Sequence, residues 1–425
     1  MIQLVRYPDK KDWSRLLARP IMEWAAIEQI VAPILADVKK EGDAALRRYN
    51  ARFDHYEGEA LQVQPEEIAA GEALLDQDLK EAIQTAYQNI YRFHQAQQSE
   101  VNYIETMPGV HCWRKSMPIR KVGLYIPGGT APLFSTVLML GVPAALAGCE
   151  ERILCSPANA QGQIHPAILY TAQLVGISKI FKVGGAQAIA AMGYGTESIP
   201  QVYKIFGPGN QYVTAAKQLL NKEGVAIDMP AGPSEVAVWA DASANPAFVA
   251  ADLLSQAEHG ADSQVLLVSD SEALIEAVQK ALQEQLPQLP RQTLATAALQ
   301  NSKAILVEKP EIALALINDY AAEHLILALQ DARQWAERIT DAGSVFIGHY
   351  TPESAGDYAS GTNHTLPTNG HARAYSGVSL DSFVKKITYQ EISQEGIRHI
   401  GKAIEVMAET EALFAHKNAV TLRCK

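Results

Sequence analysis

The stretch Val122-Gly-Leu-Tyr-Ile-Pro-Gly-Gly129 decides how the middle of the chain folds. An apolar run of strand length ends in a proline and two glycines, and residues 136–148 then read as a helix. Strand, glycine turn and helix open a βαβ unit, because neighbouring parallel strands need a long crossover between them. The pattern continues downstream with strands at 153–156, 180–183 and 202–206 and helical stretches at 166–175, 187–192 and 212–220. A second set follows, with strands at 236–239, 265–268, 305–307, 325–329 and 345–347 and helices at 246–258, 273–285 and 312–322.

The expected fold class is therefore α/β: two doubly wound, incomplete Rossmann-like parallel-sheet domains with helical N- and C-terminal extensions. Working outward, Ile27, Ile30, Val31, Ile34, Leu35 and Val38 recur at helical spacing, and Pro65-Glu66-Glu67 opens a further amphipathic stretch ending near Gln98. This part reads as scaffold, and His55 and His94 sit in no constellation that chemistry requires. The expected division is 1–22 as an N-terminal extension, 23–124 with 236–380 as a first, discontinuous domain, 125–235 as a second domain, and 381–425 as a helical tail.

Composition excludes several classes. The chain has 425 residues, 48% hydrophobic and 20% charged, with a formal net charge of -11. That field repels phosphate backbones, so nucleic acid is not an expected partner. The most apolar stretch, 135–149, is too short for a membrane span and contains Pro143. With no signal-peptide pattern in Met1-Ile2-Gln3-Leu4-Val5-Arg6, the expected location is the cytoplasm. Cys112, Cys149, Cys155 and Cys424 form no CxxC pair and read as free thiols, Cys155 within the apolar run Arg152-Ile-Leu-Cys-Ser156.

Three glycine-containing turns end strands of the first set: Tyr125-Ile-Pro-Gly-Gly129, Val183-Gly-Gly-Ala-Gln187 and Phe206-Gly-Pro-Gly-Asn210. Glycines at strand ends let the backbone approach a phosphate, and the helix N-termini that follow offer free N–H groups. None completes GxGxxG, and each turn alone also serves as an ordinary connection. Together they would line one sheet edge, and composition leaves a nucleotide site and plain turns both open.

Seven of the eleven histidines, His259, His324, His349, His364, His371, His399 and His416, fall in the last part of the chain. Gln256 and His259 lie three apart at a helix end, so both can face one metal ion, and Asp357 and His416 could complete a four-ligand set. That set has no identifying spacing, and a helix-end histidine also reads as a surface residue. Glu323-His324 stands at a helix-to-strand junction, where an imidazole beside a carboxylate suits acid–base work or simply caps a buried strand.

Eight ordered segments together resemble the histidinol dehydrogenase family over nearly the whole chain: Val122–Gly129, Val183-Gly-Gly-Ala-Gln-Ala188, Lys204-Ile-Phe-Gly-Pro-Gly-Asn210, Asp228-Met-Pro-Ala-Gly-Pro-Ser-Glu235, Leu254-Ser-Gln-Ala-Glu-His259, Ala322-Glu-His-Leu325, Gly356-Asp-Tyr-Ala-Ser-Gly-Thr-Asn-His364 and His416-Lys-Asn-Ala-Val-Thr-Leu422. The resemblance implies NAD-dependent, zinc-requiring oxidation of L-histidinol through L-histidinaldehyde to L-histidine, the last steps of histidine biosynthesis. It implies one zinc ion per subunit on Gln256, His259, Asp357 and His416, the last from the partner of a homodimer with shared active sites. Domain 125–235 would bind NAD through Tyr125, Gln187 and Asn210. Glu323 and His324 would be catalytic, and Ser234, Gln256, His259, His324, Asp357, His364, Glu411 and His416 would contact substrate. His371 has no implied role. Two rival readings stay in view: a zinc hydrolase using Glu323 without a nucleotide, and a non-catalytic nucleotide-binding dimer.

Overall fold

The computed structural model describes residues 2–20, 24–128, 132–230 and 232–425. Gly129 of the first glycine turn, Ala231 of the Asp228–Glu235 segment and the expected boundary at 22/23 lie outside them. The strands in chain order are β1 (Gln3–Arg6), β2 (Tyr103–Met107), β3 (Val110–Pro118), β4 (Lys121–Tyr125), β5 (Glu151–Ser156), β6 (Lys179–Lys182), β7 (Lys204–Phe206), β8 (Ala226–Ile227), β9 (Glu235–Ala240), β10 (Gln264–Ser269), β11 (Lys303–Leu306), β12 (His324–Ala328), β13 (Ser344–Ile347) and β14 (Val384–Ile392).

Two parallel sheets carry the fold. The first runs β6-β5-β4-β7-β8, and the second runs β1-β11-β10-β9-β12-β13. Leaving β1 aside, both follow one winding: the first strand of each set lies centrally, two successors pair on one side and two on the other. The direction of winding reverses beside β4 and beside β9, where helices diverge to opposite faces and leave a crevice. Each sheet is buried on both faces, by residues such as Val122, Leu124 and Leu154, or Val236, Val238 and Leu267. Burial on both faces is why these strands read as continuous apolar runs.

Helix ends are specified locally. Asn245 caps helix Pro246–Ala257 by accepting from Ala247 N at 2.9 Å, with proline at the first helical position. Asp76 caps Gln77–Gln95 through Leu79 N at 2.7 Å. Among the described residues no helix is long and apolar enough to cross a membrane.

The structure differs from the sequence reading in three places. Helices 24–41 and 77–95 pack on the first sheet rather than joining 236–380: Ile27, Val31, Ile34, Leu35 and Val38 seat against helices Gly185–Tyr194 and Gln211–Lys222. Strand β1 extends the second sheet by pairing with β11; four residues at an edge give too little periodicity to announce a strand. The tail is not helical from 381, because β14 pairs antiparallel with β3, itself paired with β2, before helices Gln394–Thr410 and Phe414–Thr421. Both faces of β14 are largely exposed, so its sequence, Val-Lys-Lys-Ile-Thr-Tyr-Gln-Glu-Ile, lacks a buried-face pattern. Tyr103 and Tyr389 pack on opposite sides of Trp113, at 5.1 and 5.4 Å between ring centres, and tie this arm together.

Candidate active site

All three sequence-designated turn residues line one cavity of about 810 Å³, at the carboxyl ends of the first sheet. Tyr125 ends β4, and its hydroxyl accepts from Gly185 N at 3.1 Å, holding the glycine turn after β6. Gln187 is buried, and its side-chain nitrogen has no hydrogen-bond partner among the described residues. Asn210 caps helix Gln211–Lys222, accepting from Tyr212 N and Val213 N at 3.1 Å each. Two helix N-termini therefore open on the cavity beside Gly185 and Asn210, a setting that favours phosphate oxygens. Ile30, the one residue of its helix's apolar series left 53% exposed, lines the same cavity, as does Asp54. Burial pushes Asp54 up to about 6, and its Oδ2 is unpartnered.

The acid–base cluster forms at the amino ends of the second sheet. His324 begins β12 with Glu323 just before it, and Glu235 begins the adjacent β9. Glu323 Oε2 accepts from Glu235 N at 2.9 Å and from Gln256 Nε2 at 3.2 Å. His324 Nδ1 lies 3.3 Å from Glu235 O, to which it donates, and 3.6 Å from Glu323, an ion-pair distance. Its Nε2 faces Asp357 Oδ1 at 3.3 Å. Burial opposes the imidazolium, but Glu323, Glu353 and Asp357 outweigh it and hold His324 well above the ordinary histidine value. Burial likewise works to raise Asp357, while His324, His364 and His259 keep it below the usual carboxylate range.

His364 bridges the two units. Its Nδ1 donates to Asp357 O at 2.8 Å, and its Nε2 accepts from Thr136 Oγ1 at 3.0 Å, on the helix that follows the first glycine turn. Burial keeps its proton affinity low. Gln256 and His259 come from the carbonyl end of helix Pro246–Ala257, whose partial negative charge favours a cation. Gln256 Oε1 is buried and has no hydrogen-bond partner among the described residues. Ser234 lies at the same sheet edge, its carbonyl accepting from Gln264 N at 3.1 Å. Glu411 and His416 are exposed on the C-terminal arm, and among the described residues neither makes a hydrogen bond or ion pair with this cluster. Among the described residues no group of three or more His, Cys, Asp or Glu is gathered as a metal site requires. Of the four expected metal-binding residues, Gln256 and Asp357 both stand beside His324, and His259 is near enough to Asp357 to act on its charge.

The family model described as "Histidinol dehydrogenase" matches residues 17–424. The chain belongs to the histidinol dehydrogenase family. A curated histidinol dehydrogenase of Bacteroides thetaiotaomicron is 60% identical over 423 residues, covering 100% of this chain and 99% of that protein. One from Xanthomonas euvesicatoria is 54% identical, covering 97% and 98%. The crystal structure of histidinol dehydrogenase from Elizabethkingia anophelis superposes with a TM-score of 0.97 at 55% identity, covering 99% of this chain and 98% of that one. As a member of this family the protein is an oxidoreductase acting on an alcohol or aldehyde.

Sequence reasoning missed three buried groups that belong to a histidinol dehydrogenase fold of this shape. Glu353, one residue into helix Glu353–Tyr358, is pushed up to about 8 by burial and by Asp357 and Glu323, against the pull of His324. It belongs to no motif, so no signal marked it. Arg19 grips Glu235 with two hydrogen bonds of 2.8 and 2.7 Å. Burial raises the Glu235 carboxyl above its usual range against the pull of the Arg19 fork and of a third hydrogen bond from Asn369 N, while Glu235 holds the Arg19 guanidinium above its ordinary value against burial. Glu235 stood in a quoted segment, but its partner lies 216 positions away.

Proposed function

We propose that the protein oxidises L-histidinol to L-histidine in two NAD-dependent steps through L-histidinaldehyde, with one zinc ion per subunit, in a cytoplasmic homodimer with shared sites. The observation that carries this reading is a nucleotide-sized cavity on the first unit together with a buried Glu323–His324–Asp357 cluster that His364 ties, through Thr136, to the helix following that unit's first glycine turn. Tyr125, Gln187 and Asn210 would hold the dinucleotide, which when bound accepts a hydride in each step.

The residues present fit a zinc ion. Gln256 Oε1 is buried and unpartnered among the described residues, Asp357 is held ionised, and both stand at a helix carbonyl end near His259. Gln256, His259 and Asp357 would hold it with the partner's His416. When bound, zinc supplies a fixed positive centre that orients the amino group and imidazole of the substrate. The supporting observation for the dimer is the apolar surface on the arm, where Tyr103, Met407 and Phe414 are 68%, 65% and 61% exposed. Coverage by a second copy would bring Glu411 and His416 to the neighbouring cluster.

In this reading Glu235 O fixes the His324 tautomer, leaving Nε2 to take the substrate hydroxyl proton as the carbon loses its hydride. The aldehyde stays enclosed and takes up water, one proton of which passes to Glu323; the hydrate anion then loses the second hydride and, to His324 Nε2 once that has shed the first proton to solvent, its remaining hydroxyl proton, and leaves as the carboxylate. Ser234, His364 and the partner's Glu411 would position the substrate. The test is to mix purified protein, zinc, NAD and L-histidinol and count reduced cofactor per substrate. Two per histidinol are expected; one would make it a simple alcohol dehydrogenase, and none would overturn the assignment.

A further inference from the structure

Glu235 occupies an unusual place. Its backbone N–H holds the Glu323 carboxylate at 2.9 Å, and its carbonyl receives both His324 Nδ1 and Gln256 Nε2 at 3.3 Å. Both reacting side chains therefore take their position from the backbone of one residue, its N–H on one side and its carbonyl on the other. The Glu235 side chain points away from them and is gripped by Arg19, whose Nη2 also donates to Tyr320 O at 2.6 Å and whose guanidinium stacks 4.1 Å from the Tyr320 ring centre. Arg19 in turn is set by the N-terminal segment. Trp13 and Leu17 are buried against the second sheet, and Ala18 O accepts from Gln264 Nε2 at 3.1 Å, while Gln264 Oε1 accepts from Tyr320 at 2.9 Å. Side-chain exposures of 14% for Arg19 and 3% for Glu235 leave little water to replace a lost partner.

We propose that Arg19 and Glu235 are positioning residues for the reaction, an ion pair through which the N-terminal segment fixes the Glu235 backbone that aligns Glu323 and His324; this rests on the roles given to those two residues above. The pair touches neither substrate nor cofactor. Without the guanidinium fork, Glu235 turns or takes up a proton, its backbone shifts, and both hydrogen bonds lengthen together. A misplacement of about 1 Å lowers turnover by about a hundredfold, so kcat falls while KM stays close to the parent.

The experiment compares Arg19→Ala and Arg19→Lys with the parent in kcat, KM and melting temperature, with and without millimolar guanidinium chloride. A cavity of about 590 Å³ bordered by Ser14, Trp24, Asn369 and Arg373 lies against Arg19 and admits the ion. Arg19→Ala is expected to lose kcat about 10- to 100-fold with KM within about threefold, and guanidinium but not sodium chloride restores it. Arg19→Lys, which keeps the charge and the fold if Ala does not, is expected to lose about tenfold because an ammonium holds one oxygen at a time. Parental kcat in Arg19→Lys, a folded Arg19→Ala that guanidinium does not rescue, or equal rescue by sodium chloride would overturn the proposal. A parent protein that reduces no NAD with histidinol sinks the functional reading instead.

Discussion

Replacing Glu323 by Gln separates the two oxidations. The carboxylate Oε2 accepts from Glu235 N at 2.9 Å and Gln256 Nε2 at 3.2 Å. A glutamine amide oxygen can keep the first of these, so the loss is mainly charge assistance on buried hydrogen bonds, about 1–2 kcal/mol of stability. The fold should survive this. Loss of a general base costs about 10²- to 10⁴-fold in rate, or roughly 3–5 kcal/mol of barrier. Only the step that deprotonates water should bear it. The first oxidation uses His324 and should fall less than about tenfold. It should also change its pH profile: burial lowers the His324 proton affinity, Glu323 is the largest opposing influence, and its removal lets the value fall. His324 acts unprotonated, so the acid limb of histidinol oxidation should move to lower pH. Stopped-flow absorbance of reduced NAD, started separately from histidinol and from the aldehyde, reads both rates. Equal losses in the two half-reactions, or an acid limb moving upward, would refute the division of labour.

Three further outcomes follow from the same geometry. Asp357→Ala and His416→Ala should each be inactive as homodimers, yet random mixing after unfolding and refolding should restore about a quarter of parental activity, because each heterodimer regains one intact site; no recovery would place His416 outside a shared site. Gln187→Ala should raise the NAD dissociation constant about tenfold, measured by calorimetry, with the melting temperature nearly unchanged, since its amide nitrogen has no hydrogen-bond partner among the described residues. Asp54→Asn should stabilise the NAD-free protein at pH 8 but not at pH 4. Burial raises the folded-state carboxyl to about 6, so its protonated form favours the fold below pH 4 and that contribution is lost as pH rises through 6. Partial exposure cuts the gain to about 1 kcal/mol, or about 1–2 °C by calorimetry; a greater gain at pH 4 than at pH 8 would contradict it.

The two sheets were legible because their strands are buried on both faces: β4, β5, β9 and β10 are short apolar runs that a surface segment could not sustain. The arm was not, for the same reason reversed. Lys385, Lys386 and Glu391 of β14 face solvent within the single chain, and without a buried face there is no alternation to read. Ile30 shows how a departure from pattern carries information. Its position fits the apolar stripe of helix Trp24–Glu41, yet it stays exposed because it faces the cavity that Tyr125, Gln187 and Asn210 line.

The site was legible in halves that obey opposite rules. The cavity follows the general expectation for parallel sheets: glycine turns at strand carboxyl ends, with helix N-termini offering positive charge to an anion. Glu323, His324 and Glu235 break it, sitting at the amino ends of β12 and β9. Helix Pro246–Ala257 connects β9 to β10 and runs back across the sheet, so its carbonyl end meets that amino edge and brings Gln256 and His259 with it. A negative helix end beside Glu323, Glu353 and Asp357 makes the second unit a place for cations and for a proton on His324. Joined at His364 and Thr136, the units therefore present oppositely polarised edges to each other, one suited to a dinucleotide's phosphates and the other to an amine, an imidazole and a divalent ion. No single motif encodes that opposition; it arises from stacking the same winding twice and facing the two ends together.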